Sequence, residues 1–349
     1  MNYRLLGKSG LRISELCLGT MTFGEEWGFG TGRKESKKVF DTFVNAGGNF
    51  IDTANLYTEG SSEKFTGEFI ASDREYFALA TKYSLCFNEN KHRLNSSGNN
   101  RKSMVESVNA SLKRLNTDYI DLLWLHMWDG MTPIEEVMRG LDDLVRAGKV
   151  LYVGISDTPA WQVSRGNMLA ELRGWSPFVA LQIEYSLIQR APERDLIPMA
   201  NELGLAITPW GAIAGGALTG KYLTEKSSAD DKGPRRIKEG SARLNERSTA
   251  IAKEVKKISD ETGIPAVVCA LNWIRQQKGL FIPIVGARTA EQLEANMKCL
   301  DYTLPEDAMK RLDEVSRIEL GFPHDFLTGE PILQLIYSGK HDRIINHRK

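Results

Sequence analysis

The chain has no apolar run approaching the roughly 18–20 residues that a membrane-spanning helix needs. Its first segment, MNYRLLGKSGLRISEL, lacks the apolar stretch of a signal peptide. Both absences predict a protein that is neither anchored in a membrane nor exported. Charge of one sign is also missing, since 45 Lys and Arg balance 45 Asp and Glu. Without a net basic field, nucleic acid and anionic membrane surfaces are poor partners. Cysteine is scarce and scattered: Cys17, Cys86, Cys269 and Cys299 form no C-x-x-C, and no histidines stand beside them at metal-ligand spacing. Neither a disulfide framework nor a metal site is expected, and a reducing, cytoplasmic location fits. A G-x-G-x-x-G following a strand is absent as well. GFGTG at 28–32 lies in a loop outside that frame, so a Rossmann module is not supported.

What is present is a rhythm. Hydrophobic residues make up 42% of the 349 positions, ample for a core. Short β-rich runs alternate with helical patterns: ELCLGT (15–20), NFID (49–52), YFALATK (76–82), YIDLLWLH (119–126), VLYVGIS (150–156), FVALQIEY (178–185), LAITPW (205–210) and FIPIVGA (281–287). The first helix is expected to stop at Gly47-Gly48, and Ser61 or Ser62 is expected to cap the second. Alternation of this kind implies parallel strands joined by right-handed crossovers. Eight such units in this length suit a closed (β/α)8 TIM barrel better than the alternative, an open doubly wound sheet. Residues 1–349 then form a single barrel domain. Residues 1–14 make an N-terminal hairpin cap turning at Gly7–Gly10, and 321–349 a C-terminal tail near the pocket. A long polar insertion, roughly 221–248, follows the seventh strand.

In such a barrel, chemistry belongs at the C-terminal mouth. Three neighbouring strands end there in a residue that is costly to bury alone: Asp52, Lys82 and His126. Tyr57 follows Asp52 by five residues on the loop rising from the same strand. Any one of them has an ordinary explanation as a core histidine, a loop anchor or a snorkelling lysine. Together, on strands about 4.8 Å apart, they can meet over one point. An ammonium beside a phenol favours the phenolate, so Lys82 is expected to ease proton loss from Tyr57, with Asp52 holding the lysine. His126 can donate to a carbonyl oxygen. The set describes a proton donor beside a developing alkoxide, with a hydride from a bound cofactor completing the reaction.

The residues at these strand ends resemble the aldo-keto reductases. The resemblance rests on NFIDTANLYTEGSSEKFTGEFI with its D-x-x-x-x-Y spacing, and on GTMTFG, ATK, RLNTDYIDLLWLH, GIS, QIEYSL, GALTGKY and PIVGARTAEQLEAN, in order from about residue 3 to 320. It implies a (β/α)8 barrel that reduces aldehydes and ketones with NADPH (NADP+ when oxidised), with Asp52, Tyr57, Lys82 and His126 as its catalytic tetrad. It further implies that Gly19, Thr20 and Met21 lie near the nicotinamide ribose, that Ser156, Asp157 and Gln182 hold the carboxamide, and that Trp210 stacks on the ring. Position 157 is usually asparagine in the family. Aspartate can accept from the carboxamide NH2 but, when ionised, cannot donate to its oxygen.

The stretch GGALTGKY (215–222) nearly satisfies the phosphate-loop pattern, but Tyr222 stands where Ser or Thr must ligate Mg2+. Triphosphate hydrolysis is therefore not expected. By the resemblance, Gly211, Ala212, Ile213, Gly215 and Lys221 belong to the loop laid across the cofactor pyrophosphate, with the 221–248 insertion folding over it. Gly286, Ala287 and Arg288 precede a helix starting near Thr289, whose free N–H groups suit an anion, and the Arg288 fork suits a 2′-phosphate. Gln292 and Asn296 share its face and match residues around the adenosine; Ala295 departs from the usual glutamate. Trp27, Phe29, Tyr57 and Trp128, with Phe322 and Phe326 of the tail, are candidate walls for a flat or apolar carbonyl substrate. No metal is implied, and a homo-oligomer is compatible with this reading. The rival functions are a cofactor-binding regulatory subunit of the potassium-channel β type and a barrel lyase or hydrolase using Lys82 as a Schiff-base amine. Turnover with NADPH separates them.

Overall fold

The structure, a computed structural model, describes residues 1–86, 93–223, 241 and 243–346. Most of the 221–248 insertion, and so its expected course over a pyrophosphate, lies outside the described residues. The chain opens with an antiparallel hairpin, β1 (Tyr3–Leu5) and β2 (Arg12–Ser14). Eight parallel strands follow: β3 (Cys17–Gly19), β4 (Phe50–Asp52), β5 (Ala78–Tyr83), β6 (Ile120–Leu125), β7 (Val150–Ser156), β8 (Phe178–Glu184), β9 (Ala206–Trp210) and β10 (Ile284–Val285). They pair in chain order, and β10 returns to β3. The ring closes where Ile207 donates to Leu280 and accepts from Ile282, both at 2.8 Å. This is the closed barrel that the alternation predicts, and the open sheet is excluded.

Every residue of β5 and β6 is buried, as expected of parallel strands covered on both faces. Side-chain alternation then decides what faces the barrel axis. Thr81 points outward and donates to Glu63 of α2 (Ser61–Ile70), so Lys82 beside it points inward. The interior is filled by Phe50, Leu122 and Trp124, and from below by Leu6 and Ile13 of the hairpin. Trp124 has room because Gly154 faces it: a Cβ there would stand 2.4 Å from the indole. Burying a ring of that size contributes on the order of 4–6 kcal/mol.

The helices between strands are α1 (Arg33–Asn45), α2, α3 (Arg101–Leu115), α4 (Ile134–Arg146), α5 (Ala160–Arg173) and α6 (Leu196–Leu203). The crossover from β9 to β10 holds two helices, α7 (Glu246–Thr262) and α8 (Ala266–Arg275), because Gly263 ends the first in a left-handed turn and Pro265 opens the second. After β10 come α9 (Ala290–Met297), α10 (Glu306–Ser316), α11 (His324–Leu327) and α12 (Glu330–Ile336). Local chemistry fixes several starts: Asn100 accepts from Ser103 N–H, and Asn245 and Ser248 form a reciprocal capping box. The expected cap of α2 is different. Gly60 occupies the cap position without a side-chain bond, and Ser62 instead donates to the Thr20 carbonyl. That hydroxyl ties α2 to the end of β3 at the mouth. Among the described residues, no helix is long and apolar enough to cross a membrane.

Candidate active site

At the C-terminal mouth the registers place Gly19 beside Asp52 and Asp52 beside Ala80, with Lys82 beside Trp124 one strand on. Lys82 is wholly buried. Its ammonium donates to Asp52 Oδ2 and, at 2.7 Å, to the Thr53 carbonyl. Asp52 spends its other oxygen on Gln182, whose Nε2 lies at 3.1 Å. A buried ion pair of this kind holds only with such additional hydrogen bonds. Burial disfavours the ammonium, but Asp52 and then Tyr57 outweigh it, and the lysine pKa rises above its ordinary value. Lys82 is a fixed cation.

Tyr57 opens a short turn (Tyr57–Gly60) in which Thr58 and Glu59 adopt left-handed φ values of 47° and 52°. For a β-branched threonine this is strained backbone, worth roughly 1–3 kcal/mol. Thr58 Oγ1 holds the turn by donating to the Phe23 carbonyl at 2.6 Å and accepting from Ser62 N–H. The Tyr57 ring stands edge-on to Trp27 at 6.1 Å and to His126 at 5.9 Å, with Lys82 Nζ 4.7 Å from its centroid. Lys82 does ease proton loss from Tyr57, as expected, but in the free protein it is outweighed. Burial raises the phenol pKa, and Lys82 draws back only part of that rise. Tyr57 therefore holds its proton at neutral pH, as a proton donor must.

His126 is buried at the end of β6, and its Nδ1 has no partner. Burial, with Lys82 adding, keeps its pKa well below the usual imidazole value. It is a neutral ring facing the phenol, with one N–H to donate.

Asp52, Tyr57 and His126 open into a cavity of about 440 Å³ also lined by Gly19, Met21, Ser156, Asp157 and Gln182, and by Trp210 through Ile213. Ser156 Oγ is buried there without a partner. Asp157 takes a left-handed φ of 40° and accepts from Trp210 Nε1 at 3.3 Å. A second cavity, about 410 Å³, shares Ile213, Gly215, Gly286 and Asn296 with the first and continues past Lys221, Ala287, Arg288 and Gln292. Gly215 and Gly216 both turn with positive φ, and a Cβ on Gly216 would meet Lys221 at 2.5 Å. The glycines thus let the backbone curl beneath the lysine. The helix α9 begins beside Thr289, as expected, and Thr289 caps it by accepting from Gln292 N–H.

Other expected residues are placed differently. Thr20 lies behind the cavity, donating to the Asp52 carbonyl. Trp27 lies against Tyr57 but lines neither cavity, and Phe29 lines the second. Trp128 packs on the apolar core and lines neither cavity. Phe322 and Phe326 are exposed and also line neither, so the tail aromatics do not wall the site. Sequence reasoning missed Arg243, which pairs with Glu184, stands 6.0 Å over Trp210 and lines the first cavity. It sits in an aperiodic polar stretch with no pattern to mark it. Among the described residues no cluster could hold a metal ion.

Residues 15–317 match the model of the Aldo/keto reductase family. The chain is 40% identical to an aryl-alcohol dehydrogenase [NADP(+)] of Phanerodontia chrysosporium, covering 90% of this chain and 86% of the relative. It is 38% identical to norsolorinic acid reductase stcV of Emericella nidulans, covering 93% and 83%, and 38% identical to a norsolorinic acid reductase of Aspergillus flavus, covering 94% and 84%. With its closed barrel and the polar strand ends gathered at one mouth, the chain belongs to the aldo/keto reductase family of oxidoreductases.

Proposed function

We propose that this protein reduces aldehydes and ketones to alcohols using NADPH, with Tyr57 as the general acid. The observation that carries the reading is the buried Asp52–Lys82 pair set against a protonated Tyr57, with neutral His126 across from it. NADPH fits the residues present. Unpartnered Ser156 Oγ, Asp157, Gln182 and Trp210 suit the amide and ring at the reactive end. The curled glycines with Lys221 suit the pyrophosphate, and Arg288 at the capped start of α9 suits the 2′-phosphate. When bound, the reduced dinucleotide supplies the hydride to the carbonyl carbon. His126 donates its N–H to the carbonyl oxygen and fixes its direction. Tyr57 gives that oxygen its proton as negative charge develops there. Lys82 stabilises the phenolate left behind, and Asp52, Thr53 and Gln182 keep the lysine in place.

Aromatic carbonyl compounds are the substrate class this reading favours, because the Tyr57 and Trp210 rings line the cavity and the relatives are named for aryl alcohols and norsolorinic acid. The test is a panel of aromatic and aliphatic aldehydes assayed with NADPH and NADH side by side at the nicotinamide absorbance. NADPH oxidation that is faster with aromatic substrates supports the proposal. Tight NADPH binding with no turnover on any carbonyl contradicts it and favours a regulatory subunit.

A further inference from the structure

Asp157 is an acidic side chain lining the same cavity as the phenol that must meet the substrate. Its carboxyl is held in place by the Trp210 indole N–H, and its left-handed backbone is anchored by a hydrogen bond from its own N–H to the Gln182 carbonyl. Glu184 acts on it from β8, itself paired with Arg243, and Lys82 acts on it from β5. On the remaining sides of the cavity stand Tyr57, His126 and Asp52. An oxidised nicotinamide ring carries a positive charge and a reduced one does not. Any hydride delivered to a carbonyl beside Tyr57 comes from a ring inside this cavity, under the field of Asp157.

Resting on the proposed function, we infer that the Asp157 carboxylate discriminates between the two redox states of the cofactor, holding NADP+ more tightly than NADPH and losing that preference when protonated. Burial raises this carboxyl to about 6, with Trp210 and Lys82 lowering it and Glu184 raising it, so the change falls within an accessible pH range. Tyr57 and Lys82 are both shifted upward and His126 well downward, so none of these three changes charge in that window. A unit charge acting across several ångströms of a partly screened site corresponds to a roughly ten- to hundredfold preference. By linkage, NADP+ binding near pH 6 must expel a proton that NADPH binding does not.

The test is the Kd of NADP+, NADPH and adenosine 2′,5′-bisphosphate, measured by tryptophan fluorescence between pH 5 and 8 on the full chain and on Asp157→Asn. Asparagine keeps the size of the side chain and tolerates the left-handed backbone. The ratio of the two dinucleotide Kd values cancels titration of their shared 2′-phosphate. In the native protein the preference for NADP+ should grow about five- to tenfold from pH 5 to 8, and in Asp157→Asn it should stay flat. A flat ratio in the native protein, or the same rise in Asp157→Asn, overturns the inference while leaving the proposed function intact. Failure of all three ligands to bind overturns the proposed function and the inference with it. Proton release at pH 6 on adding NADP+, absent in Asp157→Asn, gives an independent readout.

Discussion

Replacing Lys82 by methionine removes the buried cation beside the phenol. The ammonium stands 4.7 Å from the Tyr57 ring centroid in a wholly buried position. At an effective dielectric constant of about 20, a unit charge at that range stabilises a full phenolate by roughly 3–4 kcal/mol. If most of that charge has developed in the transition state, the chemical step should slow by about 10²–10³-fold. Stability should suffer as well. Asp52 would keep only Gln182 as a side-chain partner at 3.1 Å, and a buried carboxylate stripped of its counter-ion costs about 3–5 kcal/mol. The two effects separate in the double variant Asp52→Asn with Lys82→Met, which buries no unpaired charge. It should regain most of the lost stability in urea denaturation and none of the rate. The assay is single-turnover NADPH oxidation at saturating aldehyde, with NADPH Kd measured in parallel. A folded Lys82→Met protein retaining more than a tenth of the native rate at unchanged Kd would refute the reasoning.

Three further outcomes follow from the same geometry. Arg288→Ala should weaken NADPH binding about 10- to 100-fold while leaving NADH nearly unchanged, as expected when a charge-assisted contact to one phosphate is lost; equal losses for both would show that Arg288 does not read the 2′-phosphate. Gly154→Ala should cost about 1–3 kcal/mol in denaturant unfolding, because the added Cβ meets buried Trp124 at 2.4 Å, and unchanged stability would mean the ring lies elsewhere. Asp157 has a folded pKa of about 6 against an ordinary 3.8, so its favourable contribution is complete below pH 4 and is lost as pH rises through 6. Asp157→Asn should therefore stabilise the free protein at pH 8 by about 3 kcal/mol relative to its effect near pH 4, as read from urea midpoints; a gain independent of pH would contradict the burial of that carboxyl.

The barrel was legible because parallel strands buried on both faces, as β5 and β6 are, write nearly unbroken apolar runs, and VLYVGIS coincides with β7 to the residue although Leu151 is exposed. Asp52, Lys82 and His126 stood out for the complementary reason, as polar groups ending those runs. What the sequence hid was relational. Whether Lys82 or burial governs the Tyr57 proton depends on the depth of the phenol, which no spacing encodes, and in the free protein burial prevails. Ser61 and Ser62 looked like caps, but the hydroxyl of Ser62 is drawn to Thr20 across the mouth, a tertiary partner 42 positions away. Trp128 and Phe322 are aromatic residues near loops, and composition alone does not separate a ring that packs on the core from one that points to solvent. Arg243 and Glu184 meet across 59 positions, with neither in a recognisable pattern.

Proton transfer from Tyr57 to the carbonyl oxygen as hydride arrives is tested most directly by Tyr57→Phe, which removes one hydroxyl and leaves the ring between Trp27 and His126. Single-turnover NADPH oxidation with an aromatic aldehyde should fall about 10²–10⁴-fold in the variant while NADPH Kd stays within about twofold of native. Hydride transfer at the native rate in Tyr57→Phe would contradict it.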